Sequence, residues 1–145
     1  TERQERLEQL AYLLLPDKAN DSEAGIFFTK NGRKMITAAL ICYYGMGWGF
    51  VKICEHFLGN DWRSLLNDIA KQNNQTANMY ISSFSGASEQ NTAGCKQAAD
   101  DALTKKLKMH LGHLPAMNNQ SVRPRWKQIV YMFTSRKKSS KSMAT

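Results

Sequence analysis

Apolar residues recur at three- and four-residue intervals along most of this chain, and the breaks between the runs mark out its elements. Leu7, Leu10, Ala11 and Leu14 stand at i, i+3, i+4 and i+7, the spacing that gathers side chains on one face of an α-helix. Glu2, Glu5 and Glu8 lie toward its start, where the helix dipole favours negative charge, and Pro16 ends it. The polar stretch DKANDSEAG follows, with Asp21 or Ser22 placed to begin the next helix. That helix, IFFTKNGRKMITAALICYY over residues 26–44, is polar on one side at first and apolar in every direction from Met35 onward. A helix apolar all round is buried, so it is predicted to be the core that the other segments surround. No charge separates Lys34 from Lys52, yet the run falls short of the ~20 apolar residues of a membrane span.

Gly45, Gly47 and Gly49 break the chain before a short helix carrying Phe50, Ile53, Cys54, Phe57 and Leu58. Gly59-Asn60 stops it, and Asn60 is the expected N-cap of the next helix. Trp62, Leu65, Leu66 and Ile69 repeat the helical spacing, as do Ala77, Tyr80, Ile81 and Phe84 after the polar break from Gln72 to Thr76. From Ser88 to about Leu111, one broad face carries Cys95, Ala98, Ala99, Ala102, Leu103 and Leu107. Small residues at Ala93, Gly94, Ala98 and Ala99 would let another helix approach closely. No run alternates with period two, and no hairpin turn joins two such runs. The pattern predicts an all-α fold: a non-repeating bundle of six or seven helices around a buried central helix.

A chain of 145 residues with 42% hydrophobic content is enough for one domain with its own core. Thr1 stands where an initiator Met would, so a segment of a longer protein is expected. Charge divides the chain more sharply than length does. Residues 1–103 hold 10 Lys and Arg against 12 Asp and Glu, a net of -2, whereas residues 104–145 hold 10 bases and no acid. We therefore expect an all-α domain over 1–114 and a basic C-terminal extension over 115–145. In that extension Trp126, Ile129, Val130 and Phe133 form a last apolar stripe among basic residues. Cys42, Cys54 and Cys95 are odd in number and contain no C-x-x-C pair, which predicts buried reduced thiols.

No catalytic constellation stands out in the sequence. The glycine trio lacks the preceding strand and the Gly-Lys-Ser/Thr of a phosphate loop, and is expected to be a turn between helices. His110 with His113, and Cys54 with His56, lack the four-ligand spacing of zinc, so no metal or cofactor is expected. Asp100 and Asp101 project about 100° apart on a helix, which places them on or beside the solvated face. No G-x-S-x-G elbow occurs. A non-catalytic module is expected.

The order of motifs is similar to that of a known family. An aromatic-led central helix (Phe27-Phe28 through MITAALICYY) comes first, followed by Trp62-x-x-Leu65-Leu66. Asn78-x-Tyr80-Ile81-x-x-Phe84-x-x-Ala87-x-Glu89-Gln90 comes next, and then a long small-residue helix ending ADDALTKKL. Together, over roughly Leu7 to Leu107, these resemble the all-α domain of type IV secretion coupling proteins, the TraG/TraD-like conjugation ATPases. The resemblance implies a helical domain inserted in a RecA-like motor, at the cytoplasmic, membrane-distal mouth of a membrane-anchored hexamer. There it would help recognise a relaxase–DNA complex or secreted protein cargo. The nucleotide-binding motifs belong to the motor domain, so the isolated fragment is expected to be a soluble monomer without ATPase activity. Pro115 to Thr145 departs from the family, which should return to the motor domain with strand-like sequence.

Two sets of binding residues follow from these readings. Asn73, Asn74, Gln75, Glu89, Gln90 and Asn91 sit near helix ends without an apolar role and are candidates for cargo docking. Lys105, Lys106, Lys108, Arg123, Arg125 and Lys127 are candidates for a phosphate track, if the chain instead binds DNA directly. Trp126 could then stack on a base.

Overall fold

The computed structural model describes residues 2–111, with side chains through Lys105. It comprises α1 (Glu2–Leu14), α2 (Glu23–Gly45), α3 (Phe50–Gly59), α4 (Trp62–Lys71), α5 (Gln75–Ile81), a 3-10 turn (Ser82–Gly86) and α6 (Glu89–Leu111). The fold is all-α, with no strand among the described residues. The expected extension over 115–145 lies outside them.

The apolar run of α2 does become the core. Residues from Met35 to Leu40 are buried without interruption, and Cys42 and Tyr43 are buried beyond them. Each of the other five helices packs against α2. Ser22 starts α2, its hydroxyl accepting from the Gly25 amide at 3.0 Å, and so satisfies one of the unpaired amides of the first turn. No helix among the described residues is long and apolar enough to cross a membrane.

Directions follow from particular contacts. Arg3 donates to the Tyr44 carbonyl at 2.8 Å, and Arg33 donates to the Leu15 carbonyl at 2.8 Å, so α1 runs antiparallel to α2. Phe28 lies beside Gly94, and Gly32 beside Cys95 and Ala99, so α6 runs parallel to α2. The start of α1 and the end of α6 therefore lie at the same end of the bundle.

Two local expectations are corrected. Asn60 does not cap α4. Its side-chain amide turns back to the His56 carbonyl at 2.8 Å, while Asp61 accepts from the Ser64 amide at 2.8 Å. A carboxylate at the positive helix start is the stronger partner. The helix expected to run to Phe84 leaves α geometry at Ser82 and tightens into the 3-10 turn. Ser82 and Ser85 there donate to carbonyls three residues back, the local competition that serines offer to helix bonds.

The glycine trio forms the corner between α2 and α3. Gly47 adopts φ 87°, a left-handed conformation that costs L residues other than glycine about 1–2 kcal/mol. That turn carries Trp48 back over α2, where its ring stacks on Tyr43 at 4.5 Å.

Candidate functional site

A concave feature is built where the α1–α2 connection passes the first half of α2 and the exposed side of α6. It encloses about 610 Å³, and its walls include Leu14, Leu15, Pro16, Phe28, Ala98 and Ala102. That volume lies within the ~300–1,000 Å³ of ordinary ligand sites. Lys18, Asp21, Asp101 and Lys105 supply its charges.

Arg33 positions the wall from α1. Besides the Leu15 carbonyl, its guanidinium binds the Asp17 carboxylate at 2.6 Å and lies 4.3 Å from the Tyr12 ring centre. Arg33, and then Tyr12 through its hydroxyl, hold the Asp17 carboxyl below the usual carboxylate range. On α6 the groove-lining residues Gly94, Ala98 and Ala102 recur every four positions, while Cys95 and Ala99, one position on, meet Gly32. The groove exists because small side chains fail to fill the space that the neighbouring row closes. Leu13, Ile26 and Phe27, adjacent in sequence to lining residues, are 61%, 54% and 42% exposed.

A polar cluster braces the opposite end of α2. Tyr43, fully buried, donates to Asp68 at 2.5 Å, and His56 Nε2 lies 3.2 Å from the same carboxylate oxygen. Burial, and then the bond to Asp68, push the Tyr43 phenol well above its ordinary range, so it remains a neutral donor. Trp48 closes the cluster by stacking on Tyr43, with Lys52 4.1 Å from its ring centre. The arrangement joins α2, α3 and α4. Among the described residues no group of three or more His, Cys, Asp and Glu could hold a metal ion.

The sequence-derived candidates fall elsewhere. Asn73, with φ 55°, and Asn74 form the turn between α4 and α5, and Gln75 opens α5, which Asn74 caps by accepting from the Ala77 amide at 3.0 Å. Glu89, Gln90 and Asn91 open α6. There Glu89 pairs with Arg63 at 2.8 Å and the Asn91 amide donates to Ser88 Oγ at 3.0 Å. Among the described residues no side-chain hydrogen bond joins the two trios, and none of the six residues lines the groove. Lys105 does line it. Lys106 and Lys108 lie on α6, with their side chains outside the described residues, and Arg123, Arg125 and Lys127 lie outside them altogether.

Asp101 is exposed, as expected, and accepts from Gln97 at 2.8 Å. Asp100 lies beside that face, half-buried because it accompanies Lys96 toward the interior. Sequence reading missed Phe28, Lys18, Asp21 and the groove itself. The available signal was the Gly94, Ala98, Ala102 row, which reads equally as a seat for a packed helix. No known protein family, curated protein or solved structure matches this chain.

Proposed function

We propose that this chain is the substrate-recognition, all-α domain of a type IV secretion coupling protein. In this reading it holds a relaxase–DNA complex or a secreted protein for delivery to a membrane-anchored hexameric motor at the cytoplasmic face. The observation that carries the reading is topological: α1 starts and α6 ends at the same end of the bundle. A domain whose two ends lie together can be inserted into a host fold without distorting it, as the resemblance of the sequence implies for a RecA-like motor. The apolar groove adds a surface on which cargo can dock.

Titration of the isotope-labelled chain with a cognate relaxase on its origin DNA tests the proposal. Amide shifts are expected on the α1–α2 connection and α6, and Ala98→Arg should weaken binding at least about tenfold, or 1.4 kcal/mol. Absence of shifts throughout residues 2–111 would overturn it.

The segregation of charge favours direct nucleic-acid binding as a second reading. With about five phosphate contacts, the log–log salt slope on single strands should be near -3.5. A flat salt response rejects it.

A further inference from the structure

The described residues leave the groove beside Phe28 open, and we propose that this chain's own segment around Trp126, Ile129, Val130 and Phe133 seats in it. The inference stands on the groove and the sequence, independently of the secretion reading. Three observations carry it.

The first is reach. The α6 wall of the groove runs from Gly94 to Lys105, and the helix ends at Leu111. At 1.5 Å per residue that end lies only about 9 Å beyond Lys105. The 14 residues from Gly112 to Arg125 span up to ~46 Å when extended, ample to turn back along α6. Gly112, Pro115 and Pro124 lie within this connection and favour reversal over continuation of the helix.

The second is pattern. Trp126, Ile129, Val130 and Phe133 are spaced i, i+3, i+4 and i+7, which gathers them on one helical face about 10 Å long. The α6 wall is about 17 Å long by the same rise. An apolar stripe of this length has a complementary place there, where it would cover Phe28, Ala98 and Ala102.

The third is charge. Asp21 and Asp101 line the groove together with Lys18 and Lys105, and neither carboxylate forms an ion pair with a described side chain, which leaves both open to a basic partner. Arg123, Arg125 and Lys127 flank the start of the stripe, and residues 112–145 hold seven bases and no acid. Because the segment is tethered, its effective concentration at the groove is of millimolar order, so modest contacts suffice to keep it seated. A cargo using the groove must displace it.

Spin labelling of the full chain tests this. Cys42, Cys54 and Cys95 are 1%, 6% and 1% exposed, so a label attached to Ser135→Cys reports selectively from just beyond Phe133. The amide signals of Gly25, Phe28, Gly94, Gln97 and Asp101 are expected to lose most of their intensity, unchanged on dilution. Trp126→Ser with Phe133→Ser, changes that leave the described core intact, should restore those signals. Loss that fades on dilution would place a second copy in the groove and overturn the proposal. So would loss confined to other helices, or none at all.

Discussion

A β-carbon on Gly32 would come within 2.7 Å of the Cys95 carbonyl oxygen, and one on Gly94 within 2.6 Å of the Phe28 ring. The two clashes differ in what must yield. At Gly32 the obstacle is the backbone of α6, with Leu15 at 3.2 Å on another side. Gly32→Ala should therefore cost about 1–3 kcal/mol through overpacking. At Gly94 the obstacle is the far edge of a half-exposed ring that can swing into the groove. There the helix-propensity gain of up to ~1 kcal/mol offsets the shift. Urea denaturation of both variants checks the ordering, and an equal loss at both positions would contradict it.

The ammonium of Lys96 binds both carboxylate oxygens of Asp100, at 2.8 and 2.9 Å, one helical turn on. It also lies 4.8 Å from the Phe57 ring centre. Its side chain is 6% exposed, against 28% for Asp100. Asp100→Ala strands the ammonium in the interior and should cost about 2–3 kcal/mol. Lys96→Met should cost less, because the remaining carboxylate can be hydrated and Met keeps the packing on Phe57. Thermal denaturation of the two variants distinguishes them, with the reverse ranking as the disproof.

Burial pushes the Cys42 and Cys95 thiols up to about 11 and Cys54 up to about 12. Free thiols ionise near ~8.5. These groups keep their protons in the folded chain while the unfolded chain releases them. Their contribution is complete below that pH and is lost as pH rises toward 11–12. The urea midpoint should fall across that window. Iodoacetamide at pH 8 should label all three cysteines only after unfolding.

On the acid side, Asp17 works in the opposite sense. Arg33 first, and Tyr12 second, hold its carboxyl below the ordinary range. The stability it adds is present above about pH 3.9 and is lost as pH falls through the lowered value. Asp17→Asn should flatten that part of the pH–stability curve and loosen Leu15. Hydrogen exchange at the end of α1 is the direct measure, and an unchanged acid limb would contradict the assignment.

Much of this architecture is legible in the sequence because burial leaves a periodic trace. Leu65 and Ile69 face inward as their spacing requires, and the unbroken apolar run from Met35 reads directly as a core helix. Lys96 is not legible in that way: it is buried only because Asp100, four residues on, meets its charge, and periodicity assigns every lysine outward. The groove is hidden for another reason. Gly94, Ala98 and Ala102 carry the same small-residue signature as Cys95 and Ala99, and only the rotation of α6 decides which row meets Gly32. Asn73, Asn74 and Glu89 stood out as polar residues without an apolar role, yet a left-handed turn, a cap and an ion pair occupy them. Such tasks depend on neighbours that spacing does not reveal.

The corner that begins at Gly47 gives the molecule its own optical reporter. The Trp48 indole lies face to face with Tyr43 and 5.3 Å edge-on from the His56 imidazole, whereas Trp62 sits beneath Arg63 on α4. Emission from Trp48 therefore senses whether that one corner is closed. Opening of the α2–α3 junction could be watched in real time without attaching a dye.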